Sequence, residues 1–425
     1  MSMAKQIPDS SHENIVVGLD LGTSKTCCLI AELGADGGLN IIGVGNAVSS
    51  GLKKGAVINI EATVAAMLKA LGEAERMAGV KVGSAFVSVG GEHIKGMTSH
   101  GVIAVGRKDK EVSQEDVERV LEAAKAIAIP QDREIIHVLT QEYMIDNQDG
   151  IREPIGMSGV RLEAKVHVVT GAVTSVQNIL KSAERAGIRV EDLILQPLAS
   201  AQAVLMQDEK ELGVALVDIG GGTTDVVVMM EGGVRYTGVV PVGGAQFTRD
   251  LAIGLRTPNE EAEAIKRKYG CARVDSVAEG EEIPVAGVGG REQRPIARRA
   301  VAEIMQPRAE ELLGLIGAEL KKSGYEGKLA AGVVLTGGGA QVEGLQALAE
   351  DILAAQVRVG RPHALKGLGD VVQAPEYATA VGLVQWGGRI RKEGGAMASA
   401  GPIGASSVAG DSLLDKIKKF FKEYF

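Results

Sequence analysis

One pattern occurs twice in this chain, and that repetition restricts the fold more than any other feature. Asn14–Leu21 reads NIVVGLDL, followed by a GTSKT turn, CCLIAEL, a Gly37-Gly38 turn and LNIIGVG. From Gly213 the order recurs: GVALVDI, a GGGTTD turn, VVVMM, a Gly232-Gly233 turn and VRYTGVVPVGG. Asp20 and Asp218 occupy equivalent places in the two copies. Unbroken Val/Ile/Leu runs bounded by Gly turns are strands covered on both faces. Two such three-stranded units, each followed by helices, predict a duplicated α/β architecture with a cleft between two lobes.

The helices expected between the strands are present as 3.6-residue patterns. Glu61–Ala78 places Val64, Met67, Leu68 and Leu71 on one face; Thr174–Ala186 and Leu198–Gln207 read alike. Thr257-Pro258-Asn259-Glu260 reads as a capping box opening a helix at Glu261–Tyr269. Pro295–Lys322 is a long helical stretch, expected to kink or break at Pro307. Residues 91–166 interrupt the first copy with strand Thr98–Val105, helix Gln114–Ile127, and strands Arg133–Ile145 and Val160–Val169. This βαββ piece reads as an inserted subdomain.

The resulting division is as follows. Residues 1–13 are a polar N-terminus without a signal-peptide core. Residues 14–90 and 167–200 form the first lobe, with 91–166 inserted. Residues 201–245 and 323–390 form the second lobe, with a small subdomain at 246–322. Residues 391–411 are a linker and 412–425 a terminal helix. Gly387–Asp411 holds seven Gly, five Ala, three Ser and one Pro, a flexible composition spanning about 27 Å as a coil.

Composition removes several functions. At 45% hydrophobic the chain is not disordered. A net charge of −8 and only twelve rings (five Phe, six Tyr, one Trp) argue against nucleic-acid binding. No run of about 18 apolar residues is present to span a bilayer. Cys27, Cys28 and Cys271 have neither disulfide-framework nor metal spacing and are expected to be buried thiols.

The Gly-rich turns are where chemistry is expected. Glycine lets backbone N–H groups approach phosphate oxygens, and hydroxyls add donors. Gly22, Thr23, Ser24 and Lys25 face one side of the phosphates; Gly220, Gly221, Gly222, Thr223 and Thr224 face the other. Asp20 and Asp218, at strand ends, suit a hydrated Mg²⁺. A third cluster, Gly337-Gly338-Gly339-Ala340, follows strand Ala331–Thr336, precedes helix Gln341–Ala349, and suits a nucleobase and ribose.

In order, DLGTSKT, DIGGGTTD and TGGGA, with connecting helices QPLASAQAVL and YATAVGL, resemble the actin-like ATPase superfamily (ribonuclease H-like fold). That resemblance implies ATP and Mg²⁺ in the interdomain cleft, with Asp20 and Asp218 beside the metal. It implies a water-orienting place for Gln196, and ribose- and adenine-side places for Glu263 and Lys266. The alternative for the last two is a solvated helix face. LNIIGVGNAVSSGLKKGAVINIEAT, QEYMIDNQDGIREPIGMSGVRLEAKVHVVT and LAAGVVLTGGGAQVEGL are similar, more narrowly, to the FtsA family of bacterial actin-like cell-division proteins. The similarity covers residues 13–390 and the tail. It implies a tether of the FtsZ ring to the inner membrane at the division septum, self-association into filaments, and recruitment of other division proteins. It also implies at most a slow, regulatory ATPase.

The tail can be read from its own residues. Leu413, Leu414, Ile417, Phe420, Phe421 and Tyr424 fall on one helical face, with Phe425 at the end. Lys416, Lys418, Lys419 and Lys422 lie opposite. Aromatics facing lysines suit an interfacial helix on anionic lipid; the alternative is a terminal helix docked on the protein. Arg291, Arg294, Arg298, Arg299 and Arg308 cluster in an acidic chain. They form either a solvated face or, as the resemblance implies for Arg294 and Arg308, a receptor for the acidic FtsZ tail. A metabolic kinase of this fold needs an acceptor-side base, and none is identifiable. A pilus-assembly relative of the same fold is expected to lack the leash and the tail.

Overall fold

The computed structural model describes residues 14–106, 109–289, 291–363 and 365–398, without side chains beyond 392. The first lobe begins with β1 (Ile15–Leu21), β2 (Lys25–Leu33) and β3 (Leu39–Val48), then a short ribbon of β4 (Leu52–Lys53) and β5 (Ala56–Val57). Helix α1 (Ile60–Ala78) follows, then β6 (Ser84–Val89). Asn59 caps α1 by accepting from the Ala62 N–H at 3.0 Å, and left-handed Gly79 ends it. After the insertion come α3 (Val173–Arg185), β11 (Arg189–Leu195), α4 (Gln196–Val204) and α5 (Gln207–Leu212). The insertion itself is β7 (Lys95–Ala104), α2 (Gln114–Lys125), β8 (Arg133–Ile145), β9 (Gln148–Ile151) and β10 (Arg161–Ala172).

The second lobe carries β12 (Val214–Ile219), β13 (Thr224–Met230), β14 (Gly233–Val240), α6 (Gly244–Leu255) and α7 (Asn259–Tyr269). A small ribbon, β15 (Glu282–Val285) with β16 (Arg294–Ala297), precedes α8 (Arg298–Ser323). Then come β17 (Val333–Thr336), α9 (Leu345–Leu353), β18 (Val357–Val359), β19 (Lys366–Gly367) and α10 (Ala378–Ala398).

The duplication is explicit in the sheets. The first has the order β11-β6-β1-β2-β3-β19 and the second β18-β17-β12-β13-β14, so each lobe repeats one five-strand order. In each, the first strand pairs antiparallel with its hairpin partner and parallel with the strand on its other side. Six of seven residues in β1 and all six in β12 are buried, as two-sided cover requires. Both cores are aliphatic: Leu19, Leu29, Ile30 and Met67 in one, Val217, Val226, Leu312 and Leu335 in the other. The three cysteines are buried and unpaired.

The insertion has its own sheet, β7-β10-β8-β9, and its own core around Val120, Leu121, Leu162 and Val166. It leaves the first lobe in sequence yet rests on the second lobe's edge strand. Gln141 Nε2 donates to the carbonyls of Val234 at 3.1 Å and Arg235 at 3.0 Å, and Arg235 donates back to the Gln141 carbonyl at 3.2 Å. His167 Nε2 and Thr237 Oγ1 lie 2.8 Å apart. These groups are buried, and buried polar groups are held firmly by such reciprocal pairing.

Five local expectations change. Thr257 does not cap α7: its hydroxyl donates to the Ala286 carbonyl at 2.6 Å, and the helix starts from Pro258 with no side-chain cap. Pro295 belongs to the β15–β16 ribbon, and α8 runs through Pro307 unbroken. Pro307 and Glu303, whose carbonyl loses its usual donor, lie on the exposed face, where water can serve instead. After Gly337 the chain makes a 3₁₀ turn at Gly338–Gln341, and the helix begins only at Leu345, behind a left-handed Gly344. The linker boundary expected at residue 391 falls inside α10, which continues to Ala398. Gly387 and Gly388 serve close packing: a Cβ on Gly387 would lie 2.4 Å from the Phe86 ring, and one on Gly388 3.0 Å from Leu39. The rest of 391–411, the 412–425 helix and residues 1–13 lie outside the described residues.

Candidate functional site

The two repeated turns face each other across the cleft at van der Waals range. A Cβ added at Gly221 would lie 2.0 Å from Ser24 Oγ, and one at Gly222 2.9 Å from Thr23 Oγ1. Each turn is closed by its own backbone: Gly22 N–H donates to the Lys25 carbonyl at 3.0 Å, and Gly220 N–H to the Thr223 carbonyl at 2.9 Å. The N-terminus of α6 abuts the second turn, with Gly244 and Ala245 N–H donating to the Gly220 and Gly221 carbonyls at 2.9 and 2.8 Å. Thr224 Oγ1 donates to the Val242 carbonyl at 2.8 Å, pinning the far side of that turn.

The third cluster joins them. Gly337 has φ +82°, and a Cβ there would lie 2.3 Å from Asp218 Oδ1; one on Gly339 would lie 2.3 Å from Ile219. Glycine at 337 is thus required both by its left-handed backbone and by its approach to a carboxylate. Ala340 is buried in the second lobe's core.

Asp20 and Asp218 are held from opposite sides. Ser88 Oγ donates to Asp20 Oδ1 at 2.8 Å and receives the Leu21 N–H at 2.9 Å. Gln196 Nε2 reaches Asp20 Oδ1 at 3.4 Å and the Leu21 carbonyl at 3.3 Å. Asp218 Oδ2 accepts from Ser200 Oγ at 2.5 Å and Thr379 Oγ1 at 3.3 Å. Those hydroxyls come from α4 and α10, the two connecting helices. They cross so closely that a Cβ on Gly382 would lie 1.8 Å from the Ala199 carbonyl oxygen.

A third acid was missed by the sequence reading. Asp225 stands directly opposite Asp218 in the β12–β13 ladder, where the first copy pairs Asp20 with Cys27. It is buried, and its Oδ1 has no hydrogen-bond partner. Burial, reinforced by the Asp218 charge, pushes Asp225 up to about 8; burial also raises Asp218 to about 6 and Asp20 above the ordinary carboxylate range. The last letter of GGGTTD was the available signal, because the hairpin turn returns that residue to the side of Asp218.

Three buried carboxylic acids with one orphaned oxygen form an environment that a cation would relieve. Among the described residues, no group of three or more His, Cys, Asp or Glu could hold a metal ion by themselves. The acids suit an ion that keeps its waters and is held through one or two carboxylates, as Mg²⁺ prefers.

Beside the turns opens a cavity of about 590 Å³, lined by Ser24 from the first lobe and by Ala245, Thr248, Arg249 and Glu263 from the second. Glu263 Oε2 receives Lys266 Nζ at 2.6 Å and Thr248 Oγ1 at 2.5 Å, and Lys266 also donates to the Gly244 carbonyl at 3.1 Å. Glu263 therefore lines the cavity, and Lys266 is bonded to it from behind.

The arginine cluster is farther off and mostly paired. Arg298 reaches Glu281 and Glu343, and Arg299 lies 3.4 Å from Glu303. Arg308 forks onto Asp250 at 2.7 and 3.2 Å and also meets Glu311. Arg294 is exposed and spends one N–H on the Leu255 carbonyl at 2.7 Å.

The family described as cell division protein FtsA matches residues 215–382, and the SHS2 domain inserted in FtsA matches residues 91–170. The cell division protein FtsA of Pseudomonas aeruginosa is 50% identical over 97% of this chain and 98% of its own. That of Neisseria meningitidis is 45% identical over 96% and 98%, and that of Escherichia coli K12 43% over 89% and 91%. In fold, the chain is similar to the PilM–PilN type IV pilus biogenesis complex (TM-score 0.62, 18% identity, 88% of this chain and 98% of that one). It is also similar to MreB5 of Spiroplasma citri bound to ADP (TM-score 0.52, 14% identity, 91% and 99%).

Proposed function

Because this chain belongs to the FtsA family, we propose that it is an ATP-binding cell-division protein that tethers the FtsZ ring to the cytoplasmic face of the inner membrane. It does so at the division septum as a peripheral protein and helps assemble the division machinery through ATP-dependent self-association. The observation that carries the nucleotide reading is the convergence of three Gly turns on Asp20, Asp218 and Asp225 beside one cavity.

Gly22 to Lys25 and Gly220 to Thr224 supply N–H and hydroxyl donors to the phosphates. Gly337 to Ala340, with Glu263 and Lys266, border the nucleoside. Asp20, Asp218 and Asp225 would hold a hydrated Mg²⁺, and Gln196, tethered to Asp20, would orient a water near them. Bound Mg²⁺ offsets the charge of the polyphosphate and of the buried acids. Hydrolysis in this reading is slow and regulatory.

No helix among the described residues is long and apolar enough to cross a membrane. Attachment is assigned to Leu413, Leu414, Ile417, Phe420, Phe421, Tyr424 and Phe425, inserted as one face of a short helix into anionic lipid. Fourteen residues form a marginal helix in water, so folding accompanies binding. Side-by-side copies in a filament then multiply a weak single contact.

Arg294 and Arg308 are the proposed receptors for the acidic FtsZ tail. Arg294 has N–H groups to spare, whereas Arg308 must first give up Asp250. Arg294→Glu is expected to weaken binding of an FtsZ tail peptide by about tenfold, and Arg308→Glu by less, measured by fluorescence anisotropy. Undiminished affinity in Arg294→Glu would remove it from the interface.

A further inference from the structure

Lys25 is the last residue of the first turn, and its ammonium is engaged by Glu376 and Tyr377. Nζ sits 3.8 Å from the centre of the Tyr377 ring, donates to the Glu376 carbonyl at 3.1 Å, and lies 3.9 Å from Glu376 Oε1. Tyr377 is itself anchored to the first lobe, its hydroxyl receiving Asn46 Nδ2 at 3.2 Å. The other Glu376 oxygen lies 3.6 Å from Arg267 on α7. Arg267 Nε is 3.4 Å from Glu263, which in turn holds Lys266. Alternating charges thus run from the first turn to the second lobe, and Glu376 is the link between them. Its Cβ also lies 3.8 Å from where a Cβ on Gly338 would be, which sets it beside the third turn.

We propose that Glu376 and Tyr377 form a holding site for the Lys25 ammonium, in competition with the phosphates of a bound nucleotide. The inference deepens the nucleotide reading given above and rests on it. Lysine suits such exchange, because its compact charge rides on a flexible four-carbon stem. Lys25 rests on the ring face and the Glu376 oxygens, an arrangement that an aromatic face beside a carboxylate favours. With a polyphosphate present, Lys25 turns to it, and the Glu376 carboxylate is left to Arg267. Glu376 is then a positioning residue: it touches no phosphate, yet it sets how much of the lysine's attraction the nucleotide receives.

Glu376→Gln removes the competing charge while keeping the side chain's shape. Full-length wild type, Glu376→Gln, Lys25→Met and the double variant are titrated by calorimetry with ADP and with a non-hydrolysable ATP analogue. Glu376→Gln is expected to tighten binding roughly two- to fivefold, as the loss of a partly exposed ion pair allows. The gain should shrink with added salt and vanish in the Lys25→Met background. Unchanged or weaker binding by Glu376→Gln overturns the proposal, as does an equal gain with and without Lys25. If Lys25→Met binds as tightly as wild type, the holding site falls while the nucleotide cleft stands. Absence of nucleotide binding by the wild type would overturn the underlying reading and, with it, this inference.

Discussion

Valine in place of Gly221 is expected to lower nucleotide affinity by roughly ten- to a hundredfold while leaving the thermal midpoint nearly unchanged. The Cβ alone would come within 2.0 Å of Ser24 Oγ, and two further methyls would occupy the gap between the turns. Overpacking of this kind costs about 1–3 kcal/mol where nothing can move. Here the colliding groups sit on different lobes, Ser24 in the first and Gly221 in the second. The strain is therefore relieved by parting the lobes, and neither core is disturbed. Parted turns cannot both reach one set of phosphates, so the loss falls on binding. Calorimetric titration with ATP alongside thermal unfolding separates the two effects. Wild-type affinity in Gly221→Val would mean that the turns do not grip a common ligand.

Asp225→Asn is expected to make the nucleotide-free protein more resistant to rising pH. Burial raises the Asp225 carboxyl to about 8 and Asp218 to about 6, against 3.8 for each in the unfolded chain. Between those limits the folded state binds more protons than the unfolded one, so stability falls as pH rises from about 4 to about 8. Each such group contributes up to about 1.4 kcal/mol per pH unit. Asparagine keeps the shape and stays neutral. Variant and wild type should match near pH 4, and the variant's advantage should widen toward pH 8 in urea unfolding. In the presence of Mg²⁺ and ATP the order should reverse, because the carboxylate that held the ion's water is gone. Superimposable pH curves would show that Asp225 is not kept protonated by its site.

What could be read from the residues follows from what the residues encode locally. The duplicated strands were legible because two-sided burial forces unbroken aliphatic runs and because tight turns demand glycine. Asp20 and Asp218 were legible because they recur in register. Asp225 was not, because the comparison of copies paired like with like, and its counterpart across the first ladder is Cys27. Only the ladder shows that the second copy brings two acids together. The extent of α10 was obscured for a related reason. Gly387 and Gly388 suggest a linker by composition, yet each makes room for a neighbour, Phe86 or Leu39, that is remote in sequence. The seat of the insertion on β14 depends on Gln141 meeting Val234 and Arg235, ninety-odd residues away, and no periodicity announces such a pair. The place of Lys25 over Tyr377 is hidden in the same way.

The central claim is that one chain couples a nucleotide cleft to a membrane surface and to FtsZ. Co-sedimentation with anionic liposomes and FtsZ, with and without ATP, tests it most directly when full-length protein is compared with a variant lacking Ser412–Phe425. The full-length protein should carry FtsZ into the lipid pellet, and more strongly with ATP. The truncated protein should remain in solution with FtsZ while still binding ATP. FtsZ recovered with liposomes to the same extent in both cases would contradict the account.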